Sequence, residues 1–174
     1  GHRRKALLPR LTTAAMAATG ETMKYDIDLN SLYQALDGPE DPLLRLAIAD
    51  RLDELGCHDQ ARAVRSPCWT QCLSEDDCGV RGWPLHRFFR VIYWYESGDY
   101  DGSGEALAHR LDGLFEGMPL GHCSCDGPGQ DWGCNPPKPI TWVEVRRRAG
   151  PEDAAVGSND TLWKLINAFS KHTP

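Results

Sequence analysis

Residues 87–98 read RFFRVIYWYESG and predict the first strand of a sheet. Its β-branched and aromatic side chains favour extended backbone because they pack well on a pleated surface. The stretch therefore predicts a strand from Phe88 to Tyr95. Two shorter runs follow, Glu105 to Arg110 and Leu114 to Met118, and the Asp-Gly step between them is typical of a hairpin turn. Together the three runs predict a small antiparallel sheet.

The residues before this sheet have the pattern of helices. In residues 41–56, DPLLRLAIADRLDELG, Asp41 can cap a helix, Pro42 suits its first position and Gly56 can end it. The apolar face of this helix would consist of Leu44, Ile48, Leu52 and Leu55. Shorter helices are predicted for residues 29–36 and 59–65.

The residues after the sheet begin with a loop and end with a helix. Residues 121–139 are rich in Gly, Pro and Cys, which favours a loop. Thr141 and Glu144 have the spacing of a capping box, so residues 141–149 could form a helix, although Val143 and Val145 also fit a strand. A final helix is predicted over residues 161–169, with a docking face made of Leu162, Leu165, Ile166 and Phe169.

These elements predict an α+β fold: an N-terminal helical hairpin, a small antiparallel sheet, a Cys-rich loop and a C-terminal helix. We divide the chain into a disordered leader or extension (1–22), a helical region (23–67), a Cys-rich α+β region (68–149) and a linker with the last helix (150–174). The basic, Ala- and Thr-rich leader could also mimic a transit peptide.

Composition narrows the function classes. The 174 residues carry a formal net charge of −6 at pH 7, which argues against binding to the phosphates of a nucleic acid. A protein is the expected partner. A mean hydropathy of −0.48 and the lack of a long apolar run predict no membrane span. The cysteine count is seven, an odd number, and no signal peptide is recognisable, which favours a reducing, cytoplasmic location.

The cysteines suggest zinc. Structural zinc sites use four Cys or His ligands. The sequence offers two such sets: the first is His122, Cys123, Cys125 and Cys134, and the second is Cys68, Cys72, Cys78 and His86. Neither contains the Cys-x2-Cys pairs of well-defined zinc motifs, and one ion could draw ligands from both sets. Free thiols are the alternative.

Two other chemistries can be drawn from the same half of the chain. A thiol-dependent enzyme or redox protein would be centred on Cys123 or Cys125, with no base assigned. The loop DYDGSGEA places Asp99, Asp101 and Ser103 like the first ligands of a calcium-binding EF-hand. Position twelve is Arg110 instead of Glu, so a tight acidic turn between strands is the expectation.

Residues 31–65 resemble the repeat-companion domain of planctomycete proteins. The residues that carry the resemblance are Asp41, Pro42, Arg45, Leu46, Ala49, Asp50, Gly56, Ala61 and Arg65. Arg51 stands where that family has an aromatic residue. The resemblance implies a bacterial helical accessory module and no established activity.

Residues 95–129 resemble a segment of uncharacterised bacterial and phage proteins, with an acidic Gly-rich turn, a hairpin and then Gly-His-Cys-Ser-Cys. That resemblance implies no activity. The sequence therefore predicts a non-catalytic bacterial interaction module, with a structural zinc site as an additional feature and a thiol-dependent enzyme as the alternative.

Overall fold

The structure is a computed structural model that describes residues 28–122 and 127–171. Some sequence-based predictions concern residues outside these two ranges. The leader at residues 1–22 and the ligands Cys123 and Cys125 lie outside the described residues, as does the side chain of Cys134.

The N-terminal region is a unit of three helices: α1 (Leu29–Gln34), α2 (Leu44–Glu54) and α3 (His58–Arg65). A 3₁₀ turn, Ala35–Asp37, extends α1. The Asp41 carboxylate accepts a hydrogen bond from the Leu43 backbone N–H at 2.9 Å, and Pro42 and Leu43 form a turn, so α2 begins two residues after the predicted first position. We refer to residues 28–66 as the helical unit.

The apolar face of α2 is one residue shorter than predicted. Leu44, Ile48 and Leu52 are buried, whereas Leu55 is 47% exposed. Leu55 follows the last helical residue and precedes Gly56, whose φ of +78° turns the chain away. The helical period therefore no longer places the Leu55 side chain over the core.

The sheet has four strands in the order β1 (Trp69–Cys72), β2 (Phe88–Ser97), β3 (Gly102–Arg110) and β4 (Phe115–His122). Strands β2, β3 and β4 form the predicted antiparallel meander, with Gly113 in the turn before β4 at a φ of +84°. Strand β1 was not predicted, and it pairs in parallel with β2, so the sheet is mixed. Four residues without alternating polarity give too weak a signal for a strand.

Strand β3 also begins three residues earlier than predicted, at Gly102. Glycine has a low strand propensity, yet here it is required by packing. A Cβ at Gly102 would lie 1.8 Å from the Tyr95 hydroxyl, and one at Gly104 would lie 2.1 Å from the Trp94 carbonyl oxygen. The two glycines thus let β3 pass closely beside β2.

Each face of the sheet is covered. On one face, Trp83 and Trp132, the latter from α4 (Gln130–Cys134), pack against Tyr93, Met118 and other sheet residues. On the other face lie α5 (Trp142–Ala149) and α6 (Ser158–Lys171). The Thr141 hydroxyl accepts a hydrogen bond from the Glu144 N–H at 3.2 Å, so Thr141 caps the helix and residues 142–149 are helical. The Glu144 carboxylate binds Arg147 and Arg148, and the reciprocal half of the capping box is not observed among the described residues.

The α+β prediction is confirmed. The predicted docking face of the last helix lies against the sheet, with Leu165, Ile166 and Phe169 buried and Leu162 partly buried. No helix in the described part of the chain is both long and apolar enough to cross a membrane.

Candidate functional site

The second predicted zinc set is divided between two places. Cys68 and His86 both lie beside Arg45. Cys72 lies four residues after Cys68, at the end of β1. It is close enough to Cys78 for the charge of Cys72 to raise the Cys78 pKa. Four extended residues span about 13 Å. Zn–S bonds of about 2.3 Å require ligating sulfurs within about 4 Å of each other.

These distances prevent Cys68 and Cys72 from sharing one ion. Among residues 28–122 and 127–171, no three His, Cys, Asp or Glu side chains are placed to hold a metal ion. The structure therefore does not bring the second set together.

Two thiols of this second set, those of Cys68 and Cys78, are poor nucleophiles. Burial raises the pKa of Cys68 to about 11. Burial, together with neighbouring Cys72 and Asp77, raises the pKa of Cys78 to about 11. Because the thiolate is the reactive form, both residues stay protonated and unreactive near neutral pH. Burial also lowers the pKa of His86, so its imidazole is neutral.

Of the first predicted zinc set, the structure describes the His122 side chain alone. His122 is the last residue of β4, and its Nδ1 is hydrogen-bonded to the Tyr95 hydroxyl of β2. The two rings stack with centroids 5.8 Å apart, over Gly102. The hydrogen bond at Nδ1 fixes the ring and leaves Nε2 as the nitrogen through which a metal would bind.

The acidic loop that resembles the start of an EF-hand is a turn between strands. It joins β2 to β3, and the Gly98 N–H donates to the Asp101 carbonyl oxygen at 2.6 Å. An EF-hand has helices on both sides of its loop. The predicted turn is therefore present, and its flanking elements do not suit EF-hand calcium binding.

A buried ionic network, which the sequence analysis missed, joins the helical unit to the sheet. Glu116 of β4 is fully buried and binds Arg110 at 2.5 Å, the Trp132 indole N–H at 2.8 Å and Arg87 at 3.4 Å. Arg110 also binds Asp37 of the 3₁₀ turn at 2.8 Å.

Asp112 completes the network by accepting hydrogen bonds from Nε and Nη2 of Arg110. Each carboxylate thus has a cationic partner, and Arg110 and Glu116 at the centre of the network are buried out of reach of a substrate. We assign it a structural role.

Arg45 makes a second connection between the helical unit and the sheet. Its guanidinium donates to the carbonyl oxygens of Val64 and Ser66, at the end of α3. It also donates to the carbonyl oxygens of His86, at 3.3 Å, and Phe88, at 2.9 Å, where β2 begins. A planar guanidinium with five N–H donors can serve several acceptors at once, which explains why an arginine occupies this position.

The residues that carry the companion-domain resemblance can now be given structural roles. Asp41 and Pro42 shape the turn before α2, Gly56 ends the helix region, and Asp50 pairs with Arg65 at 2.7 Å. Ala49 and Ala61 are fully buried. Leu46 differs from the rest, because half of its surface is exposed.

Leu46 is part of an exposed apolar surface on α2. Leu43, one turn earlier, is 68% exposed. Asp50 and Glu54 follow on the same side at helical spacing, and both are exposed. We call Leu43, Leu46, Asp50 and Glu54 the outward stripe. Sequence reasoning identified only the inward face of α2. The helical period that places Leu44, Ile48 and Leu52 on that face also places Leu46 on the opposite side, and this signal could have identified it.

One further carboxyl was missed. Glu105 of β3 is mostly buried, its Oε2 has no hydrogen-bond partner among the described residues, and burial raises its pKa to about 7. Burial is the cause of this pKa shift, and no charged neighbour contributes to it. Catalytic acids typically have a specific charged partner as well, so Glu105 does not have the environment of a catalytic acid. Its position in the strand sequence GSGEALAHR gave no sign of burial.

Comparisons with protein-family models, curated proteins and solved structures find no match to the chain. The two resemblances described above therefore stay predictions. Function is therefore inferred from the geometry of the described residues.

Proposed function

We propose that the protein is a non-catalytic accessory module that binds another protein through the outward stripe of α2. The observation that carries this proposal is the exposure of Leu43 and Leu46. The resemblance residues other than Leu46 shape turns, are buried, or form hydrogen bonds and ion pairs within the helical unit and to the sheet. Leu46 is half exposed and Leu43 two-thirds exposed, so covering each in an interface contributes about 1–2 kcal/mol. Two adjacent leucines are thus enough for the centre of a small interface.

The polar interior supports a non-catalytic role. Glu116 and Arg110 are held in a closed network, and the buried thiols Cys68 and Cys78 have raised pKa values. A nucleophilic cysteine needs a lowered pKa and a neighbouring base. These groups lack the properties that catalysis would require of them.

Site-specific photocrosslinking tests the proposal. A photoreactive phenylalanine analogue replaces Leu46 in one variant and Val143 in a control variant, in cells that naturally contain the protein. Val143 of α5 is a matched control because it is also apolar and helical and is 76% exposed. We expect one defined protein to crosslink at position 46 and not at position 143. Equal or absent crosslinking at the two positions would refute the proposal.

A structural zinc site on His122, Cys123, Cys125 and Cys134 is a second proposal. The hydrogen bond between Tyr95 and His122 Nδ1 favours it, since zinc-binding histidines are commonly oriented by a partner at the other ring nitrogen. Zinc would supply a structural cross-link at the end of β4. His122 would bind through Nε2, and the three thiolates would complete the ligand set.

Zinc content and thiol accessibility test this second proposal. We expect about one zinc per chain, retained in Cys57→Ser and lost in Cys123→Ser, with thiols that become reactive only after chelation. Cys57 is a suitable control because it is a free thiol in the helical unit. Protein without zinc that has one rapidly labelled thiol would contradict the zinc site and favour a thiol-dependent enzyme centred on Cys123 or Cys125.

A further inference from the structure

The outward stripe of α2 changes character along the helix. Leu43 immediately precedes α2, Leu46 lies in its first turn, and Asp50 and Glu54 follow at spacings of four residues. With about 3.6 residues per turn, these four positions lie on one side of the helix. The stripe therefore presents an apolar end and an acidic end, separated by about one turn.

The acidic end keeps capacity for a further partner. Asp50 binds Arg65 at 2.7 Å, and Arg65 is shared with Asp53 at 2.6 Å. Glu54 uses one oxygen to bind Arg51 at 2.7 Å. An ionised carboxylate has about four acceptor sites, so one arginine does not saturate it.

The helical unit as a whole is also acidic. Residues 28–66 contain eight Asp and Glu residues, four Arg residues and no Lys. Arg45 and Asp37 face the sheet, where backbone carbonyls and Arg110 bind them, so seven acidic residues and three arginines remain on the rest of the unit. The negative potential outside α2 is consequently suited to a cationic partner.

Building on the proposed function, we infer that the partner presents a basic amphipathic helix. Its apolar side chains would cover Leu43 and Leu46, while its Lys or Arg side chains would meet Asp50 and Glu54. A helix fits because its side chains repeat every turn, which matches the spacing of the stripe. The apolar contacts would provide most of the affinity, and the charges would set the orientation and the choice of partner.

Two synthetic helical peptides of about 18 residues serve as probes. Both have the same leucine positions, and the polar positions beside the leucines carry Lys in one peptide and Glu in the other. Fluorescence anisotropy measures their binding to the full chain. We expect the Lys peptide to bind at least about tenfold more tightly than the Glu peptide at low salt, and the difference to shrink as salt screens the charges.

Three variants connect the binding to the stripe. Leu46→Arg should abolish binding of the Lys peptide, and Val143→Arg should leave it unchanged. Asp50→Asn/Glu54→Gln should remove the preference for Lys over Glu while retaining the apolar contact. The amides keep hydrogen-bond acceptors for Arg65 and Arg51, and thermal unfolding checks that each variant is folded.

The inference is overturned if neither peptide binds, if both bind equally well, or if the preference for Lys survives in Asp50→Asn/Glu54→Gln. These outcomes differ from failure of the proposed function. The latter is judged by crosslinking at position 46, which depends on contact and not on the charge of the partner.

Discussion

The two sides of the helical unit differ in polarity and in the contacts that their side chains make. On the side that faces the sheet, Asp37 and Arg45 are polar and are bonded to β3 and to the start of β2. On the outward side of α2, Leu43 and Leu46 are apolar and exposed to solvent. The inward polar groups hold the unit in place, whereas the outward leucines contribute little to the fold. This contrast separates residues needed for folding from those available for binding.

The largest effect is expected where the junction is most buried. Glu116→Ala would leave Arg87 and Arg110 without the carboxylate that they share. Breaking a buried pair in this way costs about 3–5 kcal/mol. Denaturant unfolding should show this loss. Glu144→Ala is the control, because Glu144 pairs with exposed Arg147 and Arg148 and its loss should be much smaller. Equal losses would contradict a stabilising role for the junction.

A smaller loss is expected from Arg45→Ala. The variant removes donors from four backbone carbonyls, at the end of α3 and the start of β2. We expect the free energy of unfolding to fall by about 2–4 kcal/mol. Hydrogen exchange should show α3 opening more readily, while α6 stays protected. If α3 and α6 lost protection equally, Arg45 would not be a local connection.

Sequence reasoning predicted most of the secondary structure and little of the junction. The β-branched and aromatic side chains of residues 88–95 and the Asp112-Gly113 turn indicate local backbone preferences, which is why the meander was predicted correctly. Glu116 and Arg110 gave no such signal, because a charged residue in a strand ordinarily faces water. Their burial depends on Asp37 and Trp132, which are distant in sequence.

The candidate sites show the same limit. Cys68, Cys72, Cys78 and His86 are close in sequence, yet the extended backbone of β1 separates Cys68 from Cys72. A spacing of four residues brings two ligands together on a helix or in a turn, and separates them on a strand. Leu46 was noted as part of a resemblance; helical spacing places it opposite the buried face, and the structure gives the extent of its exposure.

Glu105 contrasts with Glu116: it is a largely buried carboxyl, and no arginine or tryptophan is recorded as its partner among the described residues. Burial raises its pKa from 4.5 to about 7 in the folded protein. Between these values the folded state binds more protons than the unfolded state, so stability falls as pH rises through this window. Glu105→Gln removes the titration.

We therefore expect Glu105→Gln to match the wild type at about pH 4 and to exceed its stability by about 1–2 kcal/mol at about pH 8. Denaturant unfolding at both pH values measures the difference. A parallel pH dependence in the two proteins would show that Glu105 is ionised in the fold without cost.

The smallest effect on stability is expected on the outward side of α2. Leu43→Ala and Leu46→Ala should each change the free energy of unfolding by no more than about 0.5 kcal/mol. Ile48→Ala, on the buried side of the same helix, should cost about 2–5 kcal/mol. Thermal or denaturant unfolding compares the three variants. A large loss from Leu46→Ala would assign that leucine to the core.

The most direct test of the central claim measures affinity and stability together. The protein that crosslinks at position 46 is purified, and its binding to the wild type, Leu46→Arg and Val143→Arg is measured by titration calorimetry. We expect Leu46→Arg to weaken binding at least about tenfold while its unfolding free energy stays unchanged, and Val143→Arg to alter neither. Unchanged affinity in Leu46→Arg, or a loss that merely follows destabilisation, would contradict binding through the outward stripe.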